Sequence, residues 1–172
     1  GGRAAAPLRG QALDGTPAPG FSLVDQSGRR VSVDAQRGHW TVVTFLYSRC
    51  PDVCPLVAAN LDRATLTAAG RAAGLTVLVV SVDPEHDTPA VLRRYVAQRR
   101  FTPSFHFLTG TRAELRRAWS AYHVAVRPGP RGTVTHSTFA ILIDPQGAER
   151  VLYGSTVGFR DLRSEEHTSE LQ

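Results

Sequence analysis

The stretch Val42–Pro55, VVTFLYSRCPDVCP, carries a β-branched and aromatic run directly into the chain's two cysteines, Cys50 and Cys54. A continuous apolar segment such as Trp40–Leu46 predicts a central strand covered on both faces. Pro51 biases Cys50 toward an extended backbone, and Pro55 suits the first turn of a following helix. A strand that delivers two thiols into a tight loop ahead of a helix sets both sulfurs on one patch. There they can close a disulfide or hold a soft metal ion together. Unpaired N–H groups at the helix entry and the charge of Arg49 are expected to make both thiols more acidic than a free cysteine. The plainer alternative is a pair of core cysteines or an inert disulfide.

Outward from this unit, Phe21–Asp25 and Arg30–Val33 flank Gln26-Ser27-Gly28 as an N-terminal β-hairpin. Residues Pro55–Ala69 place Leu56, Val57, Leu61, Ala64 and Ala68 on one helical face, with Gly70 and Gly74 closing the helix. Leu75–Val82 reads as a second buried strand, and Asp87-Thr88-Pro89 opens a helix with Val91, Leu92, Tyr95 and Val96 inward. Phe105–Leu108 is a short strand; Thr111–Tyr122 is a helix in which Thr111 and Glu114 can form a capping box. Arg127–Gly132, RPGPRG, is an exposed loop or hairpin tip, and Thr138–Ile143 and Glu149–Tyr153 close a hairpin across Asp144–Gly147. Alternating strands and helices that end in a hairpin predict an α/β fold with mixed strand directions.

The 172 residues, 42% of them hydrophobic, suffice for one globular domain. Residues 1–19, rich in Gly, Ala and Pro, read as a flexible lead-in, and residues 20–162 as the ordered domain. The final ten residues, RSEEHTSELQ at 163–172, look like the translation of a sequencing adapter, so the natural sequence is expected to depart near Leu162 and to leave a helix begun at Gly158 truncated. The first residue is not Met, and a signal peptide or membrane anchor ahead of Gly1 is outside the reading. All 20 basic residues are arginines, scattered and without interleaved aromatics, which argues against a nucleic-acid surface.

Two thiolates give a metal only two bonds, so a third donor is sought among the histidines. His136 stands at the mouth of a predicted strand, where it could face the cysteine loop across the sheet, although a lone histidine there is more often an ordinary surface or core residue. His39 reads as surface, His106 as packed, His123 as a helix-end cation and His86 as a solvated loop residue. Asp83 follows a buried strand and can hydrogen-bond groups near the cysteine loop.

Tyr47–Pro55 (YSRCPDVCP), Val80–Pro89 (VSVDPEHDTP) and His136–Pro145 (HSTFAILIDP) resemble, in order and spacing, the Sco/SenC family of copper-delivery proteins, and the likeness runs from about Thr16 to Leu162. Thr135 stands where the family often has Asp, and the family's glycine between strand and cysteine loop is replaced around Leu46. The resemblance implies a thioredoxin-like fold, a mixed central sheet flanked by helices. It implies that Cys50, Cys54 and His136 bind one copper ion as Cu(I) or Cu(II). It further implies a metallochaperone that assists assembly of the dinuclear copper centre of cytochrome c oxidase subunit II, with a copper donor chaperone and a thiol reductant as partners. Such proteins work outside the cytoplasm, in the periplasm or on the outer face of the membrane, tethered by an N-terminal transmembrane helix.

The competing expectation is a thiol-disulfide oxidoreductase or peroxidase of the thioredoxin superfamily, with Cys50 and Cys54 as redox thiols. A thioredoxin-type reductase favours two residues between its cysteines, and a peroxiredoxin has Thr or Ser three residues before its reactive cysteine. Here three residues intervene, and those positions are Tyr47 and Pro51. Two thiolates and an imidazole form a soft three-donor set that suits copper, whereas structural zinc would recruit a fourth protein group. A redox-inert binding module would leave both cysteines and His136 unexplained.

Overall fold

A computed structural model describes residues 10–154 except Asp52. In chain order the strands and helices are β1 (Gln11–Ala12), β2 (Ser22–Val24), β3 (Arg30–Ser32), β4 (Thr41–Leu46), α1 (Cys54–Ala64), α2 (Ala68–Ala72), β5 (Thr76–Ser81), α3 (Pro89–Arg99), β6 (Phe105–Leu108), α4 (Arg112–Ala121), β7 (Val126–Pro128), β8 (Val134–His136), β9 (Phe139–Ile143) and β10 (Glu149–Gly154). Among the described residues these build a six-stranded sheet in the order β1-β10-β9-β4-β5-β6 and two separate hairpins, β2-β3 and β7-β8. Strands β4, β5 and β6 run parallel, and β9 and β10 return antiparallel. This is the expected mixed, thioredoxin-like sheet flanked by helices.

Burial follows from composition. All six positions of β4 are buried, so its near-continuous apolar run is covered on both faces. Helix α1 buries Val57, Leu61 and Ala64, which are spaced four and three apart, and exposes Leu56. Leu56 had been expected on the inner face; one residue before Val57, it is turned by a third of a helical revolution away from the sheet. Leu61 and Leu92 are fully buried, and truncating either to Ala should cost about 2–5 kcal/mol.

The helix predicted over Pro55–Ala69 breaks at Thr65–Thr67. Thr65 Oγ1 donates to the Asp62 carbonyl at 2.6 Å, Thr67 turns extended, and its hydroxyl accepts the Gly70 N–H at 3.0 Å to start α2. Gly70 therefore sits inside a helix instead of ending one, and a Cβ there would come within 2.1 Å of the Ala64 carbonyl oxygen. Helix α3 is capped by Thr88, with Asp87 turned inward, while the capping box of Thr111 and Glu114 on α4 is as expected.

Part of the segment read as a flexible lead-in is paired. Strand β1 joins β10, and the Leu13 and Ala18 N–H groups donate to the carbonyls of Arg150 and Gly147 at 2.8 and 2.9 Å. The short strand escaped notice because Gly, Ala and Pro carry no apolar alternation there. Of the stretch 127–132, Arg127 and Pro128 are paired in β7 with Thr135 and Val134, and 129–132 forms the tip of the β7-β8 hairpin. The expected helix from Gly158 and the 163–172 tail lie outside the described residues, among which no helix is long and apolar enough to cross a membrane.

The β9–β10 turn closes on Asp144, which is 4% exposed and accepts N–H groups of Gln146 and Ala148 at 2.9 Å and Arg150 Nε at 2.7 Å. Burial pushes its carboxyl up, but the Ala148 N–H, the Arg150 guanidinium and the Gln146 N–H together hold it below the usual carboxylate range. A depressed folded-state pKa contributes stability that is present above the unfolded value of about 3.9 and is lost as pH falls through the folded value. Asp144→Ala should therefore destabilise by about 1–3 kcal/mol at neutral pH. The difference from wild type should shrink below about pH 3, as read by denaturant unfolding at both pH values.

Candidate metal centre

The topology sets one sheet edge as the place where distant parts of the chain meet. Leu46 pairs with Ser81 in the parallel β4–β5 ladder, so the cysteine loop and Asp83 leave the same edge. Strand β9 runs the other way and pairs Ala140 with Thr44, while Thr44 Oγ1 donates to the Phe139 carbonyl at 2.8 Å. The start of β9, and β8 with His136 just before it, therefore stand at that same edge. In open α/β sheets, ligands bind outside the carboxyl ends of the parallel strands.

Cys50 and Cys54 are both free thiols; Cys50 is half-buried and Cys54, the first residue of α1, is 1% exposed. The two thiols are close enough to influence each other's ionisation. Burial pushes the Cys54 thiol well above the ordinary value, the neighbouring Cys50 thiol adds to the effect, and backbone hydrogen bonds from Tyr47 and from Cys54 itself only partly oppose it. For Cys54 the expected acidification is thus reversed, since desolvation outweighs the helix entry. Nor is the Arg49 charge spent on the sulfurs: its guanidinium reaches Asp83 Oδ2 at 3.2 Å and the Gly132 carbonyl at 3.2 Å.

Tyr47 neighbours both the thiols and the imidazole. Its hydroxyl accepts the Val134 N–H at 3.2 Å, its ring meets that of His136 edge-on with centroids 5.9 Å apart, and the Cys50 and Cys54 thiols act on its ionisation. Desolvation pushes the Tyr47 hydroxyl up, and the neighbouring thiols add to that. The His136 ring is held neutral: burial lowers its pKa, and the 2.9 Å contact of Nδ1 with the Ser137 carbonyl only partly opposes it. With the Nδ1 proton donated to that carbonyl, the Nε2 lone pair is left to act as a ligand. Among the described residues, no three His, Cys, Asp or Glu side chains are gathered closely enough to hold a metal ion. The two cysteines are brought together, and His136 stands at the same sheet edge against the Tyr47 ring without joining them in a three-donor cluster.

Asp83 is 7% exposed, and its carboxylate holds Arg49, the residue before Cys50. The stronger support is Asp87, which is fully buried. Its carboxylate accepts the Ser48 N–H at 3.3 Å, the Ser48 hydroxyl, and the Ser81 hydroxyl at 2.7 Å, fastening the cysteine loop to the end of β5. Burial raises its pKa against those three hydrogen bonds. Sequence reasoning had given Asp87 to the helix start. The signal against that was Thr88-Pro89, which already supplies a cap and a first-turn proline. The remaining histidines stay apart: His39, His86 and His123 are exposed, and His106 Nδ1 contacts Asp25 Oδ2 at 3.1 Å.

Comparison with known proteins places the chain. The SCO1/SenC family model matches residues 11–162. The human mitochondrial SCO1 homologue is 35% identical over 150 residues, covering 80% of this chain and 46% of the relative. The chain thus spans about half the length of the curated relatives it matches. The crystal structure of Arabidopsis thaliana ScoI with copper bound superposes with a TM-score of 0.72 at 29% identity, covering 88% of this chain and 98% of that one. Yeast Sco1 with copper bound superposes with a TM-score of 0.70 at 30% identity, covering 89% and 90%. A match across nearly all of the described fold, cysteine loop and His136 hairpin included, means that the chain belongs to the SCO1/SenC family.

Proposed function

We propose that this chain binds one copper ion through Cys50, Cys54 and His136 and hands it to a copper-accepting protein during assembly of cytochrome c oxidase, working outside the cytoplasm. The observation that carries this reading is the pair of free thiols set at the same sheet edge as an imidazole whose Nδ1 is held by the Ser137 carbonyl, leaving Nε2 available. Two soft sulfurs and one nitrogen fit Cu(I), whose low coordination number needs no fourth protein group. Membership of a family whose members include copper-bound structures supports the choice of metal. An oxidising compartment suits a chain whose paired thiols could also close a disulfide, and a membrane tether upstream of Gly1 would hold it beside a membrane-bound acceptor.

Loading has two consequences for the chain. The His136 hairpin and the cysteine loop must approach one another, since no three-donor cluster stands ready among the described residues. The β7-β8 hairpin can do this because it is paired to itself and lies outside the main sheet. The Cys54 thiol, held protonated by burial, must also lose its proton to bind metal. Half-buried Cys50 is then the first sulfur that incoming copper meets, and Cys54 the second. Release runs in reverse: an acceptor thiolate replaces one donor at a time, so the ion is exchanged between thiolates without a change in oxidation state.

Anaerobic Cu(I) titration of the reduced protein should show one equivalent bound. Cys50→Ser, Cys54→Ser and His136→Ala should each weaken binding by about 2–4 kcal/mol, scaled from the ~10–16 kcal/mol of a four-ligand site. Unchanged affinity in His136→Ala would leave a dithiol site only. Because a thiol with a raised pKa gives up its proton on metallation, apparent affinity should rise between about pH 6 and pH 8. Iodoacetamide followed by peptide mass mapping should modify Cys50 first, with Cys54 following only in denaturant or at alkaline pH.

A further inference from the structure

Beside the cysteine loop lies a cleft of about 410 Å³ whose walls come from α4, from the β5–α3 connection and from the β7-β8 hairpin. Four arginines line it, and they are not equivalent. Arg49 is paired with Asp83, and Arg112 forms an ion pair with Glu85. Arg116 on α4 and Arg127 on β7 are exposed and have no acidic or hydrogen-bonding partner among the described residues. Four guanidiniums against the carboxylates of Asp83 and Glu85 leave the cleft cationic, with its uncommitted charge on two different elements, α4 and β7. The half-buried Trp119 ring, three residues along α4 from Arg116, also lines it, its Nε1–H donated to the Ser81 carbonyl at 2.9 Å, so an apolar surface is fixed beside the charges.

We infer that this cleft receives an acidic polypeptide segment of the protein with which the chain exchanges copper. Identifying that partner as the copper-exchanging one rests on the reading under Proposed function; the binding itself does not. Two unpartnered guanidiniums on separate elements, with an aromatic ring lining the same cleft, match carboxylates spaced along an extended chain. A compact phosphate-type anion is less well served. The N-terminus of α4, whose first residue Arg112 borders the cleft, has its Glu114 N–H taken by Thr111 within a capping box. Position gives the contact its use. Arg49 lines the cleft and adjoins Cys50, so a segment seated there brings its protein alongside the thiol at which exchange begins. Charge complementarity of this kind raises the rate of encounter and fixes orientation more than it adds affinity.

The test uses a fluorescein-labelled hexaglutamate peptide and fluorescence anisotropy on the whole chain at low ionic strength. Wild type should bind it saturably. Arg116→Glu/Arg127→Glu should weaken binding on the order of tenfold or more. Arg71→Glu/Arg94→Glu, which makes the same change of net charge at exposed positions outside the cleft, should weaken it far less. Equal loss in the two double variants, absence of saturable binding by wild type, or displacement by inorganic phosphate as effective as by unlabelled hexaglutamate would each overturn the proposal. Cu(I) stoichiometry measured on the same samples keeps the two readings apart. It should be unchanged in Arg116→Glu/Arg127→Glu, and failure of wild type to bind copper would count against the metal site while leaving the peptide result to decide the cleft.

Discussion

A single buried carboxylate holds the cysteine loop in place. Among the described residues no cation pairs with Asp87; its charge is met by the Ser48 N–H and the hydroxyls of Ser48 and Ser81. Ser48 lies two residues before Cys50, and Ser81 ends the strand paired with β4, so this one group ties the thiol-bearing turn to the rigid parallel core. Burying a carboxylate on neutral donors alone is costly, which is why its pKa rises. A raised folded-state pKa means that its stability contribution is greatest in acid and declines as pH rises through the folded value. Stability is thereby exchanged for a fixed loop geometry, a pattern common where a site must be preorganised.

The other half of the site is held much more loosely. His136 belongs to a two-stranded hairpin that is joined to the main sheet by chain continuity and by a few specific contacts, chief among them Val134 N–H to the Tyr47 hydroxyl and Arg49 to the Gly132 carbonyl. Both contacts come from the cysteine loop or the residue leading into it. Loop and hairpin therefore already recognise each other through polar groups, with the Tyr47 ring against that of His136. Under the proposed reading, a sulfur pair anchored to the core and a nitrogen carried on a separate hairpin would let one donor leave without disturbing the other two.

Much of this was legible in the sequence. The apolar run into Cys50 and Cys54 located β4 and α1 because buried parallel strands leave a continuous hydrophobic signature. The capping box at Thr111 was readable from spacing alone. What stayed hidden depended on contacts between distant residues. The rise in the Cys54 pKa comes from packing that no local pattern encodes, and local rules pointed the other way. Asp83 was singled out for its place after β5, yet it acts on Arg49, while Asp87, four residues on, took the inward position behind an apparent helix cap. Strand β1 was missed because its pairing with β10 is made by backbone groups, which any composition can supply.

Whether the imidazole and the sulfurs meet on one metal ion is best settled by X-ray absorption at the copper edge on the anaerobically loaded protein, recorded for wild type and His136→Ala. Wild type should show a first shell of two sulfurs and one nitrogen with the outer-shell scattering of an imidazole ring, and the variant should lose the nitrogen and the ring signature while keeping both sulfurs. A wild-type spectrum made of sulfur alone, identical to that of the variant, would contradict a site shared between the cysteine loop and the hairpin.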